Sequence, residues 1–219
     1  MVTRDGFILG IHNYCDRWCE RCPLTHRCRA FADERQLEFH LAPPDQASPG
    51  LTAGVHDEPA SRDCLLGDVA DPRVDADAQA LQVRLDALTS RLHDWSLVAL
   101  PSNDPEVREA REVLAHYWLV TGAKLQQALR GAAHEAGAGT ADASGSAKVV
   151  LLALDRLEGA WLRLAERGCV SLDEAEPLLQ ECAAVKAHVE RRFPRARQFV
   201  RPGFDEPTAV AMLEWEERG

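Results

Sequence analysis

The chain lacks any long uncharged apolar run. No window of about 18 residues, close to the length of a membrane-spanning helix, is free of charged side chains. The most apolar stretch, residues 149–165, itself carries Asp155, Arg156, Glu158 and Arg163. Near the N-terminus, the apolar patch at residues 7–11 is too short for a secretory signal and lacks a small-residue cleavage site. We therefore expect no membrane partner and a cytoplasmic location.

Basic charge is also scarce. The sequence has 25 Lys and Arg against 35 Asp and Glu, for a formal net charge of −10. Broad nucleic-acid binding depends on a net basic surface, so this balance argues against it. An arginine-rich stretch from Arg191 to Arg201 leaves a local nucleic-acid contact open, although a helix end that complements the helix dipole is a simpler explanation. We expect the partner to be another protein.

Strand-like alternation of apolar and polar residues is missing. Apolar residues instead recur at spacings of three and four in four segments. These segments run from about residue 77 to 100, from Asp104 onward, from about 144 to 168, and from Ser171 to Phe193. The pattern predicts a mainly α fold, in which an N-terminal Cys-rich metal loop is followed by an antiparallel four-helix bundle.

Composition divides the chain into four zones. Residues 1–40 form a Cys-rich metal- or cluster-binding segment, and residues 41–75 are rich in acidic residues, proline and glycine, which is typical of a linker. Residues 76–200 form the predicted bundle, with a flexible loop expected at the Gly/Ala tract of residues 131–145. Residues 201–219 are a C-terminal tail with a short amphipathic turn at Val210, Leu213 and Trp215.

Four of the seven cysteines lie close together near the N-terminus. Cys15, Cys19, Cys22 and Cys28 have the spacing C-x3-C-x2-C-x5-C. In a reducing compartment, such clustering is typical of metal binding or redox chemistry rather than of disulfides. Four crowded thiolates repel one another, and a bound cation removes that repulsion. All four cysteines are therefore predicted ligands of one metal or cofactor site.

The spacing bears on which metal these cysteines bind. Structural zinc commonly uses two C-x2-C pairs that are well separated in sequence, so that two loops approach the ion from opposite sides. Here a single pair, Cys19 and Cys22, is flanked closely by a cysteine on each side. A compact loop of this kind suits a 4Fe–4S cluster, because each iron takes one thiolate at a separate corner. We expect a 4Fe–4S cluster, with zinc as the alternative.

Two resemblances, both confined to residues 15–28, also indicate a cluster. Cys15, Cys19 and Cys22 resemble the C-x3-C-x2-C motif of radical-SAM enzymes, but the chain lacks the strand–helix alternation of their barrel and carries a fourth nearby cysteine. The run Cys19-x2-Cys22-Pro-Leu-x3-Cys28 is similar to part of the iron–sulfur staple of RecB-like nucleases. The latter resemblance implies cluster binding by these cysteines. It implies no nuclease activity, because the nuclease core of that family is not visible here.

Three polar residues on the helical segments are further candidates for a site. Asp155 follows six apolar residues, so it is expected to be buried and to need a partner such as Lys124 or Arg156. A salt bridge that sets the register of two helices is one interpretation of Asp155. In the other, Asp155, Lys124 and His116 are the acid–base groups of a catalytic pocket.

Three functional hypotheses follow from these observations. The first is an iron–sulfur protein whose cluster is structural, redox-sensing or electron-transferring. The second is a zinc-stapled helical adaptor that binds another protein. The third is an enzyme with a pocket between the bundle and the Cys loop. The sequence leaves open whether the protein is an enzyme at all.

Overall fold

The protein is helical in every long element that the structure shows. The structure, a computed structural model, describes residues 6–41, 75–97, 103–134 and 140–205. Its helices are α1 (Arg29–Leu41), α2 (Ala76–Leu97), α3 (Pro105–His134), α4 (Thr140–Glu166) and α5 (Leu172–Arg192). These residue ranges contain no β-strand. The prediction of a mainly α fold is confirmed.

One apolar core joins the four helices that follow α1. Helix α3 packs against α2 and α4, and α5 packs against the same two helices. On α2, the stripe of Leu81, Leu85, Leu88 and Leu92 is buried, and Trp95, which continues it, is partly buried. Leu114 and Leu125 on α3 are buried as well. The indole of Trp161 on α4 is also buried and donates a hydrogen bond to the carbonyl of Ala175 on α5 (3.3 Å). Burial of each large side chain contributes roughly 1.5–3 kcal/mol, so this core is the main source of stability.

Several helix ends lie where the sequence marks them. The Asp104 carboxylate accepts a hydrogen bond from the amide of Glu106 (2.9 Å) at the start of α3. Ser171 and Glu174 form a reciprocal capping box at the start of α5. After α4, Gly168 has a φ of 70°, a left-handed conformation that glycine adopts without strain. Local chemistry therefore determines these boundaries.

The structure corrects the sequence prediction in two places. Helix α1 was not expected, because residues 1–40 were interpreted only as a Cys-rich segment. The Gly/Ala tract was expected to be a loop, but α3 continues to His134 and α4 begins at Thr140. A Cβ added at Gly131 would lie 3.4 Å from the Cβ of Ala143, so small residues here allow the two helices to approach closely. The described ends of the tract, residues 131–134 and 140–145, are therefore helical.

Two predicted zones lie mostly outside the described residues. Positions 42–74 of the acidic linker and 206–219 of the tail, with its turn at Val210, Leu213 and Trp215, belong to the undescribed part of the chain. At the border of the linker, Asp75 caps α2 by accepting a hydrogen bond from the amide of Ala78 (2.8 Å). Among the described helices, none is long and apolar enough to cross a membrane.

Candidate metal centre

The cysteine loop, residues 6–28, is built from short 3-10 turns. The second turn spans Cys19–Arg21 and is closed by the amide of Cys22, which donates to the carbonyl of Cys19 (3.2 Å). The third turn ends when the amide of Cys28 donates to the carbonyl of Thr25 (3.1 Å). Three of the four cysteines therefore lie at the ends of tight turns, which bring residues that are distant along the loop close together.

All four cysteines line one small, mainly apolar cavity. Its volume is about 20 Å³, and part of it is open to solvent. Cys15 is buried, whereas Cys19, Cys22 and Cys28 are partly exposed. The other walls include four apolar side chains, Ile11, Leu24, Phe31 and Phe204. The loop thus has a small apolar core of its own, with the thiols arranged around it.

The electrostatics of the cavity disfavour four free thiolates. Burial, together with the charges of Glu34 and of the other three cysteines, raises the pKa of Cys19 to about 11. Burial also raises the pKa of Cys22, with smaller contributions from Cys15 and Cys28. These thiols therefore stay protonated at neutral pH unless a cation compensates their charge.

Two backbone features shape the loop around the cavity. Arg17, between the first two cysteines, has a φ of 59°, an unusual left-handed conformation for a residue with a Cβ. Cys28 immediately precedes α1, and its carbonyl accepts a hydrogen bond from the amide of Ala32 (3.1 Å). The N-terminal end of α1 therefore lies beside the thiol of Cys28, where the helix dipole favours negative charge.

A polar cluster joins the loop to α3 and α4. The carboxylate of Asp16 accepts hydrogen bonds from the hydroxyl of Tyr117 (2.6 Å) and from the guanidinium of Arg156 (2.6 Å). Burial alone raises the pKa of Asp16, but these two bonds and the amide of Trp18 lower it below its usual value. The ring of His116 bonds to the backbone carbonyl of Asp16 (2.9 Å) and stacks on Trp18, with centroids 4.3 Å apart.

Lys124 provides a second attachment between the loop and α3. Its side chain is 6% exposed, and its ammonium donates to the carbonyls of His12 (3.2 Å) and Asn13 (2.7 Å). Burial lowers the pKa of Lys124 to about 8. A buried cation is costly unless it is hydrogen-bonded, so these carbonyls are its partners and the loop is held against the helix.

The candidate catalytic residues occupy two different places. Lys124 and His116 bond to the backbone of the cysteine loop. Asp155 instead pairs with Lys186 on α5 (3.2 Å) and with Arg197 (2.5 Å), so the predicted partners Lys124 and Arg156 are wrong. Asp155 thus links α4 to α5 and to the segment after it, as the salt-bridge interpretation requires. The structure does not bring these three residues together as acid–base groups.

The arginine stretch from Arg191 to Arg201 is largely engaged by acids of the same chain. Arg192 pairs with Asp75 (2.6 Å), Arg197 with Asp155, and Arg201 with Asp205 (2.9 Å). Ion pairing of this kind neutralises much of the stretch and favours a structural role for it over a nucleic-acid contact.

Replacing Tyr117 with phenylalanine tests the attachment of the loop. Tyr117 is fully buried, and the change removes only the hydroxyl that donates to Asp16. We expect the free energy of unfolding to fall by about 1–2 kcal/mol, because a hydrogen bond to a partly buried carboxylate is lost. Denaturant titration measures this. In an Asp16→Ala background the same change should cost less, and the remaining cost reflects the hydrogen bond that the hydroxyl accepts from Arg156. An equal cost in both backgrounds would show that the bond to Asp16 does not hold the loop.

Sequence reasoning identified the four cysteines but missed the residues that surround and attach them. Asp16, Tyr117 and Arg156 are distant in sequence, and no local pattern marks them as neighbours. In the described part of the chain, no group of three or more His, Cys, Asp or Glu residues is placed to hold a metal ion directly. The candidate site is therefore a cavity ringed by thiols rather than a closed set of ligands around one point. Comparison with protein-family models, with curated proteins and with solved structures gives no match to this chain.

Proposed function

We propose that the protein binds one iron–sulfur cluster, of the 4Fe–4S type, through Cys15, Cys19, Cys22 and Cys28. The observation that carries the proposal is that all four cysteines line the same small cavity. Their spacing in the sequence, and the similarity of residues 19–28 to the staple of RecB-like nucleases, support the same cofactor.

The close spacing of the four cysteines in one short loop favours a cluster over a single zinc ion. Zinc draws four sulfurs to about 2.3 Å from one point, which requires the ligands to converge. A 4Fe–4S cluster binds one thiolate at each of four iron atoms, so its ligands surround a cavity. In this loop the cysteines surround a cavity whose remaining walls are mainly apolar.

The loop supplies a suitable environment for an anionic cluster. Ile11, Leu24 and Phe31 limit the access of water to the cavity, and the N-terminal end of α1 lies beside Cys28. A bound cluster supplies one-electron chemistry. Because Cys19, Cys22 and Cys28 are partly exposed, electrons can pass to or from a second protein near this surface. A structural or redox-sensing role uses the same ligands.

The helices form the scaffold of this site. We propose that α2–α5 are the antiparallel four-helix bundle that the sequence predicts, since each of them packs against two of the others. Lys124 and Tyr117 on α3 and Arg156 on α4 hold the cysteine loop at one side of these helices. A reducing compartment such as the cytoplasm, where thiols remain available, fits this function.

Metal analysis of protein that is purified without oxygen tests the proposal. We expect about four iron and four sulfide per chain, a brown colour and a broad visible absorption that fades on reduction. One zinc per chain in a colourless preparation would overturn the proposal in favour of the zinc-stapled adaptor. Protein without bound metal, even after anaerobic reconstitution with iron and sulfide, would overturn both.

A further inference from the structure

A larger cleft lies next to the cysteine cavity. It has a volume of about 590 Å³, within the range of small-molecule sites. Its walls come from the cysteine loop, α3, α4 and the segment after α5. The cleft and the cysteine cavity share four wall residues, Asp16, Trp18, Cys22 and Phe204. The function proposed above does not require this space.

Arginines dominate the charge of the cleft. Its lining contains four arginines and two acids, although the chain as a whole has a net charge of −10. The arginines are Arg21, Arg156, Arg163 and Arg201, and the acids are Asp16 and Glu109. A concentration of guanidinium groups in a concave site raises the local potential and attracts anions. Two further acids, Glu112 and Asp205, pair with Arg21 and Arg201 from just outside the lining and offset part of this positive charge.

These arginines differ in how firmly the protein engages them. Arg156 is bound by Asp16 (2.6 Å). Arg201 is bound by Asp205 (2.9 Å) and Arg21 by Glu112 (2.5 Å), so these three arginines are held in place. Arg163 is 46% exposed and reaches Glu109 only at 4.0 Å, the limit of an ion pair. The Arg163 guanidinium therefore loses little interaction with Glu109 when it reorients toward a ligand. Held and loosely held arginines together can orient an anion and adjust to it.

The remainder of the cleft is apolar, and the small side chains that line it leave space for a ligand. Ala110 and Val113 on α3 face Ala160 on α4 across it. Gly159 on α4 also lines the cleft, and a Cβ added there would meet no heavy atom within 4 Å. A ligand that fits has an anionic end for the arginines and an apolar or ring-containing body for these small side chains.

We propose that this cleft binds a small organic anion that carries phosphate or carboxylate groups. The arginines engage the oxyanion, and the apolar walls of α3 and α4 contact the body of the molecule. The ligand then lies against the wall that Cys22 forms between the cleft and the cysteine cavity.

Calorimetric titration of the full chain with ATP, citrate and adenosine tests the proposal. We expect ATP or citrate to bind. If ATP binds, adenosine, which lacks the anionic group, should bind at least about tenfold more weakly than ATP. The ATP and citrate arms separate phosphate from carboxylate recognition. If neither anion binds, the proposal is wrong, whatever the metal content of the protein.

Two variants and one control locate the binding. Arg163→Gln should weaken binding by about tenfold, because it removes one charge-assisted contact. Gly159→Leu should abolish binding by filling the cleft without changing its charge, and circular dichroism checks that the variant is folded. Arg130→Gln, on the same helix as Val113 but roughly 25 Å along it, should leave binding unchanged. Equal weakening by Arg163→Gln and Arg130→Gln would overturn the proposal, as would unaltered binding in Gly159→Leu.

Discussion

Replacing Cys19 or Cys22 with serine is expected to remove the cluster and leave the helices folded. A serine hydroxyl does not ionise at neutral pH, so one iron loses its ligand and the cluster becomes unstable. We expect the iron content to fall from about four atoms per chain to less than one, with loss of the visible absorption. Iron analysis and absorption spectroscopy of anaerobic protein measure the change.

Cys169→Ser is the matched control for the cysteine variants. Cys169 lies after α4 and contacts the main helical core rather than the cysteine cavity, so its replacement should leave the iron content unchanged. Equal loss of iron from the Cys169 and Cys19 variants would contradict our assignment of the ligands.

The helical signal of the Cys19 variant provides a second readout. The main core is formed by residues of α2–α5 and the segment after α5, whereas Ile8, Ile11 and Leu24 form a separate small cluster in the loop. We therefore expect far-ultraviolet circular dichroism to stay close to that of the wild type, while amide exchange in residues 6–28 increases. If the helical circular dichroism falls together with the amide protection of residues 6–28, the loop and the helices form one cooperative unit.

Gly145→Ala is expected to destabilise the protein, although alanine is the better helix former. Gly145 lies on α4 beneath the rings of Tyr14 and Phe199, whose centroids are 5.1 Å apart. An added Cβ would be 2.8 Å from Cε1 of Phe199 and closer still to the Tyr14 ring, so both rings must move. Overpacking of this kind costs about 1–3 kcal/mol in the free energy of unfolding, which denaturant titration measures.

Gly159→Ala makes the same chemical change on α4, but at a position where the added Cβ contacts no aromatic ring. Because its Cβ meets open space, we expect a gain of about 0.5–1 kcal/mol from the higher helix propensity of alanine. The two variants should thus shift stability in opposite directions. If both raise stability, Tyr14 and Phe199 do not pack on Gly145. Since Tyr14 precedes Cys15, Gly145→Ala should also lower the iron content.

Local sequence patterns predicted the helices well where periodicity and end signals agreed. In α5, the buried residues Leu178, Cys182, Val185 and Val189 follow the predicted stripe, and the capping box forms at its start. Helix α1 was missed because its apolar residues form no continuous stripe at spacings of three and four, and the neighbouring cysteines dominate the composition. The extent of α3 and α4 was underestimated because small residues that permit close helix packing resemble those of a flexible loop.

The sequence by itself determined the four main helical segments and the grouping of the cysteines, because both depend on neighbours along the chain. The tertiary structure decided that Asp16 meets Tyr117 and Arg156, that Asp155 pairs with Arg197, and that four arginines line one cleft. These contacts join residues that are roughly 40 to 140 positions apart. They depend on how whole helices pack and rotate against one another, and periodicity within a single helix does not specify that.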